Sequence, residues 1–181
     1  MTKQAFEDTY KTHAALVYNL VLHYLPQTED AEEITQDVFV QIYHTFDTFK
    51  GQSSLKTWIY RIAINKCLDA LKARKRQKRW VSIKRIFADD NDTPDTQIPD
   101  FRHPGILLEQ QENAAILFKA IHELPEPQQT AFVLSHIEGL GNKEIADIMQ
   151  RSIGATESLL SRAKQTLRKK LSSFYDEYRR N

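Results

Sequence analysis

Apolar residues in the first half of the chain recur at helical spacing. Phe6, Tyr10, Ala14, Val17 and Val21 form one stripe, and Leu16 and Leu20 widen it. Pro26 ends that helix, and Thr28 is placed to cap the next. Asp30-Ala31-Glu32-Glu33 loads acids into a first turn, where the positive end of the helix dipole favours them. Ile34, Val38 and Ile42, with Phe39 and Tyr43, give this helix an apolar side; Glu33, Gln36, Asp37 and Gln41 occupy the other. Phe46 to Ser54 reads as a loop turning at Gly51. A long helix is then predicted from Leu55 to Arg76. Its core stripe is Leu55, Ile59, Ile62, Ala63, Leu68 and Leu71, and Lys56, Arg61, Asn65, Lys66 and Lys72 lie on the exposed side.

The second half repeats the pattern. Ala114, Leu117, Phe118 and Ile121 make a stripe closed by Leu124-Pro125. Pro125 and Pro127 suit a helix start, because a first turn tolerates a missing N–H. That helix carries Phe132, Val133 and Ile137 up to the break at Gly139-Leu140-Gly141. Asn142 is the expected N-cap of a short helix, Lys143 to Met149, followed by a turn at Gln150–Ser152 and a longer helix capped by Ser152 and running to about Tyr175. Short helix, tight turn and longer helix make a helix-turn-helix. The fold class read from this is all-α, with two small helical domains at residues 1–80 and 111–181. The joining segment at 81–110 contains the acidic, proline-bearing run Ala88–Asp95, which lacks the large apolar groups needed to offset its ordering entropy and is expected to be flexible.

Charge changes the picture. The total is +1, yet residues 1–50 hold 3 basic and 8 acidic side chains, and residues 51–86 hold 11 basic and 1 acidic. Residues 87–112 hold 1 basic and 7 acidic, and residues 113–181 hold 10 and 8. Near-neutrality is therefore a cancellation between blocks, and the +10 block points to a polyanion-facing surface. The first twenty residues show no export signal, and no uncharged apolar run approaches a membrane span, so the chain reads as soluble and cytoplasmic.

Enzymatic and metal chemistry find no footing. The single cysteine, Cys67, excludes an intramolecular disulfide and reads as a packed thiol. His13, His23, His44, His103, His122 and His136 show no metal-ligand spacing, and no phosphate-binding glycine loop is present, so no metal and no cofactor is expected. Two features instead suit nucleic acid. Ser158, Arg162, Gln165 and Lys169 share one face of the last helix, with Leu160, Ala163, Leu167 and Leu171 on another, as a major-groove recognition helix requires. From Phe46 to Lys72, aromatics interleave with cations: Phe49, Lys56, Trp58, Arg61 and Lys66. That mixture suits single strands, whose bases stack and whose phosphates take charge. Ser53, Ser54 and Asn65 could line a pocket for a flipped base. Phe49 and Trp58 equally fit a core role, and the two roles are compatible.

On these residues the chain resembles the extracytoplasmic-function (ECF, group IV) sigma factors of bacterial RNA polymerase. Asp30–Phe39 is similar to that family's region 2.2; Phe49-Lys50-Gly51 and Leu55–Asn65 to regions 2.3 and 2.4. Leu124–Gln129 with Phe132 resembles region 4.1; Glu144-Ile145-Ala146, Ser161–Lys164 and Leu167-Arg168 resemble region 4.2. The matches occur in order over nearly the whole chain. The family differs from this chain in often having Val at Thr156, a basic residue at Leu159 and Gly at Gln150.

The resemblance implies a sigma factor that directs promoter-specific initiation. Asp30, Glu33, Gln36, Asp37 and Gln41 would dock on the polymerase β′ clamp, and the β flap is a second implied contact. Phe49, Ser53 and Asn65 would surround a flipped base of the melted −10 element, Trp58 would pack near the melting point, and Lys56, Arg61 and Lys66 would meet phosphates. Ser158, Arg162, Gln165 and Lys169 would face the −35 element. The linker would thread the polymerase channels. The larger sigma factors' amino-terminal region and middle domain have no room here. An anti-sigma partner, often membrane-bound in this family, is also implied. A freestanding helix-turn-helix regulator is the alternative, and a sigma-like decoy that binds polymerase without initiating is a third.

Overall fold

Thr2 accepts the Ala5 N–H and so starts α1 (Lys3–Leu22), the first helix in a computed structural model that describes residues 2–88 and 108–178. Val17, Leu20 and Val21 are its fully buried stripe. The chain leaves the helix at His23, with Tyr24 and Leu25 still buried before Pro26. Helix α2 (Thr28–Thr45) packs along α1 and buries Ala31, Val38, Phe39 and Ile42. Thr28 is not its cap. It is the first helical residue, and Gln27 occupies the cap position with no side-chain hydrogen bond. The first-turn acids Glu29 and Asp30 complement the free N–H groups there.

A short 3₁₀ turn (Phe46–Thr48) and Gly51, at φ +68°, lead to α3 (Leu55–Ala88). Ser54 caps α3: its hydroxyl accepts the Thr57 N–H at 3.1 Å and pairs with the Thr57 hydroxyl at 2.8 Å. The helix runs twelve residues past its expected end at Arg76. The added stretch is rich in Lys, Arg and Gln, which are good helix formers, and neither Gly nor Pro interrupts the chain before Pro94. Its buried stripe is broader than periodicity implied, with Thr57, Tyr60, Ile64 and Cys67 added to Ile59, Ile62 and Ala63.

The remaining elements are α4 (Leu108–His122), α5 (Glu126–Phe132), α6 (Asn142–Met149) and α7 (Ile153–Tyr178). Pro127 falls in the first turn of α5. Beyond Phe132 the helix widens into one π turn, Val133–Ile137, which Gly139 ends at φ +67°. Asn142 is likewise inside its helix rather than capping it. Gly141 is the cap, and its N–H donates to the Glu144 carboxylate at 3.1 Å. Between α6 and α7, Gln150 takes the left-handed conformation, φ 53° and ψ 48°, and the Arg151 N–H closes onto the Ala146 carbonyl at 2.9 Å. Ser152 accepts the Ala155 N–H at 3.2 Å and caps α7. Helix α7 packs against α4, α5 and α6.

The described residues contain helices and no strand. They form two compact units. One gathers α1, α2 and α3 from Ile62 onward; the other gathers Phe49–Arg61 with α4 to α7. Most of the acidic linker expected at 81–110 lies outside the described residues.

Candidate nucleic-acid interface

Helix α7 separates its residues by chemistry. Ala163 is fully buried and Leu160 and Leu167 nearly so, while Ser158, Arg162, Gln165 and Lys169 are all exposed along one face. Leu171 is only half-buried. Thr156, 0% exposed, satisfies its hydroxyl on the Ser152 carbonyl at 3.1 Å, which explains how a polar residue replaces an apolar one there. The Ser158 hydroxyl bonds back to the Gly154 carbonyl at 2.9 Å, and its lone pairs remain on the exposed face. Glu157 accepts from the Asn142 side-chain amide at 3.2 Å, which ties it to the start of α6. Arg162, Lys164, Arg168 and Lys169 project cations with no acid between Ser158 and Leu171.

The aromatic and cationic residues before and within α3 are arranged in two sets. In the second unit, the rings of Phe49 and Trp58 lie 5.3 Å apart at 41°, both half-buried. Lys56 stands over the Tyr60 ring at 5.2 Å. Tyr60 itself is fully buried and donates its hydroxyl to Glu138 at 2.7 Å. Burial first, and then the Glu138 carboxylate, push this phenol far above its ordinary range. Arg61 donates through Nη2 to the Asp147 carbonyl at 2.6 Å, while its Nε is buried with no acceptor. Ser53 is half-buried, and its hydroxyl donates to the neighbouring Ser54 carbonyl at 3.4 Å.

In the first unit, Asn65 is exposed and lines a groove of about 630 Å³ with Lys66, Asp37, Gln41 and Asp69. Lys66 pairs with Asp37 at 3.1 Å across the groove. Residues expected to meet DNA and residues expected to meet polymerase thus share one surface depression. Phe49 and Ser53 belong to the other unit than Asn65. Of the five expected docking residues, Glu33, Gln36 and Asp37 are exposed and Gln41 is half-buried. Asp30 is also half-buried, and it forms an ion pair with Arg74.

Sequence reasoning assigned nothing to Val40 and set Tyr43 on the apolar side of α2. Both are exposed, at 56% and 53%. Val40 continues the Glu33, Gln36, Asp37 stripe at helical spacing, a signal readable from position alone. Tyr43 meets Phe6 edge-on at 5.3 Å, so it is a partly exposed edge of an aromatic cluster rather than core. Cys67 is fully buried, and burial pushes its thiol up to about 12. Among the described residues no group of three or more His, Cys, Asp or Glu could hold a metal, and no helix is long and apolar enough to cross a membrane.

Two family models match, in the order the residues implied: Sigma-70 region 2 over residues 9–77 and Sigma-70, region 4 over residues 114–167. An ECF RNA polymerase sigma-E factor from Haemophilus influenzae is 31% identical over 93% of this chain and 88% of its own length. The RNA polymerase sigma-H factor of Pseudomonas aeruginosa is 29% identical over 97% and 90%. In fold, the chain is similar to the sigma factor RpoE from Bartonella quintana, solved with the anti-sigma factor NepR, with a TM-score of 0.69, 21% identity and coverage of 93% and 98%. It is also similar to CnrH, solved with the cytosolic domain of CnrY, with a TM-score of 0.66, 20% identity and coverage of 95% and 90%.

Proposed function

The chain belongs to the extracytoplasmic-function sigma factors of the sigma-70 family and is an RNA polymerase sigma factor, and from this premise we propose how its residues divide the work. Residues 1–80 bind core polymerase and the −10 element, residues 81–110 link, and residues 111–181 bind the −35 element. The observation that carries this is the two-sided α7: an apolar back of Leu160, Ala163 and Leu167, and an exposed row of Ser158, Arg162, Gln165 and Lys169. Seated in the major groove, Arg162 and Gln165 present donors for base edges and Lys169 a cation for phosphate.

The −10 element is read as single strand. Lys56, Arg61 and Lys66 supply charge, Phe49 and Trp58 aromatic surface, and Asn65 and Ser53 hydrogen bonds to a displaced base. Glu33, Gln36, Asp37 and Gln41 face a basic partner, the β′ clamp, while the β flap is met by the second domain. Asp30 acts through Arg74, fixing α2 against α3. The protein catalyses no reaction of its own and works in the cytoplasm. An anti-sigma protein is its regulatory partner, as the relatives solved with NepR and CnrY support.

Run-off transcription with purified core polymerase on a promoter library tests this. The expected result is transcripts from a defined promoter set. Asn65→Ala should weaken opening while core binding is kept, and Arg162→Ala should weaken −35-dependent binding. Core binding without transcripts would make the protein a decoy. Tight duplex binding without polymerase would make it a freestanding regulator.

A further inference from the structure

Helix α3 carries its exposed face past the residues already given a role. Asn65, Lys72, Arg76 and Arg79 are all exposed, and their spacing puts them on one side of the helix. Trp80 follows Arg76 at the i, i+4 position and is 70% exposed, the most open of the large apolar side chains among the described residues. Asp69 is the one acid between Asn65 and Trp80, and Lys72 holds it at 3.7 Å. Arg74 is paired with Asp30. Arg76 and Arg79 have no carboxylate partner among the described residues. The region 2 match ends at residue 77, so Arg79 and Trp80 lie beyond it.

Two neighbouring cations repel each other, and an exposed indole forgoes the burial that tryptophan ordinarily gains. An anion with planar groups, lying along this face, relieves both costs, and nucleic acid is such an anion. Duplex bases stack on one another and present only phosphates and groove edges. Single-strand bases turn their faces outward, so a ring takes one while cations take the phosphates. The stretch from Lys72 to Trp80 suits that ligand better than a lipid surface. Ala73 is its only other apolar residue, and an interfacial helix needs a broad apolar face. Position along the helix agrees. The rise from Asn65 to Trp80 is about 22 Å, the length of about six nucleotides at 3.4 Å each.

We propose that the face of α3 from Lys72 to Trp80 is a further binding site for single-stranded DNA, with Trp80 stacking on an unpaired base and Arg76 and Arg79 holding the phosphates beside it. The inference rests on the reading of Asn65 as a −10 contact and extends that contact along the same strand. Opened DNA then has a partner on α3 that duplex DNA lacks, so the site favours a longer melted region.

Because this face is open in the free factor, the test uses the full chain without polymerase. Fluorescence anisotropy would follow its binding to labelled oligothymidylate of 18 nucleotides, a probe length within the range of about 4–16 nucleotides per site plus a margin. Trp80→Ala should weaken binding about tenfold, as the loss of one stacked base implies, and Trp80→Tyr should restore most of it. Arg76→Gln combined with Arg79→Gln should lower the slope of log affinity against log salt by about 1.4, or about 0.7 for each phosphate contact. All three side chains are exposed, so the variants keep the fold. Parent affinity in Trp80→Ala would overturn the proposal. So would a duplex of the same length that binds more tightly than the single strand and is indifferent to Trp80→Ala. Ile83, Ile86 and Phe87 follow in sequence, so phosphatidylserine vesicles are the third probe. Vesicle binding that Trp80→Ala abolishes, with strand binding unchanged, would make this a lipid surface instead. Failure of the −10 reading looks different: Asn65→Ala would leave promoter opening unchanged while Trp80→Ala still lost its tenfold on the strand.

Discussion

The turn of the helix-turn-helix carries a conformational cost that can be measured. Gln150 is the one non-glycine residue at positive φ among those described, with φ 53° and ψ 48°. In this region Cβ crowds the following carbonyl, which costs an L-residue about 1–2 kcal/mol. Glycine escapes that cost but gives the unfolded chain more freedom, a loss of about 0.4–1 kcal/mol. Gln150 is exposed, so its side chain contributes little packing to set against the substitution. The backbone bond from the Gln150 N–H to the Ala146 carbonyl is kept in any variant. Gln150→Gly should therefore stabilise the protein by about 0.5–1 kcal/mol. Gln150→Val should destabilise it by about 1 kcal/mol or more, because a β-branched residue fits positive φ worst.

Urea titration of the full chain, followed by far-ultraviolet circular dichroism, reads both variants against the parent at constant slope. The turn precedes the exposed face of α7, so duplex affinity at a −35 site should stay within twofold in Gln150→Gly. A midpoint that falls in Gln150→Gly, or a Gln150→Val protein as stable as the parent, would refute the strain argument. Either result would mean that Gln150 makes a compensating contact in solution.

Other outcomes follow from the same structure. Cys67 should resist thiol reagents at pH 8 and react only as the protein unfolds, so its labelling rate should track urea; rapid labelling of the native protein would contradict its burial. Because burial raises that thiol from 9.0 to about 12, its contribution to stability is complete below about pH 9 and is lost as pH climbs toward 12; urea midpoints at pH 8 and pH 10.5 should differ in that direction. Ser54→Ala removes the α3 cap and should cost about 1 kcal/mol, whereas Ser53→Ala should cost a few tenths at most; equal losses would remove Ser54 from the cap role. Ile145→Ala, fully buried in α6, should cost about 2–5 kcal/mol and reduce −35 binding through lost folded population, restored at lower temperature or urea.

Periodicity located the helices because burial of one face is a local pattern: Val17, Val21, Val38, Ile42, Ile59 and Ala163 are all predicted core and all fully buried. It placed boundaries less well. Thr28 and Asn142 looked like caps by residue type, but a cap is defined by backbone angles, and those are set by the preceding turn. The expected end of α3 at Arg76 has no stop signal behind it: lysine and arginine are helix formers, and the helix runs on to Ala88. The π turn in 133–137 had no local signal, since Val-Leu-Ser-His-Ile is compatible with an ordinary helix.

Charge is where the sequence was most informative and also most incomplete. Counting found a +10 block at residues 51–86, and the block can be counted without knowing any contact. It could not show which cations already have partners, because those partners lie far along the chain. Lys66 holds Asp37, Arg74 holds Asp30, and Arg61 holds the Asp147 carbonyl. These ties are unequal. The Lys66–Asp37 pair is solvent-accessible, and such pairs contribute about 0–1 kcal/mol, so a charged ligand can part them at little cost. Arg61 is half-buried with one donor committed and one unmet, so its release requires the surrounding packing to move. Cations of equal formal charge are therefore unequally available, Lys66 at less cost than Arg61. Raising salt should weaken contacts made by the accessible cations more than those made by the half-buried Arg61.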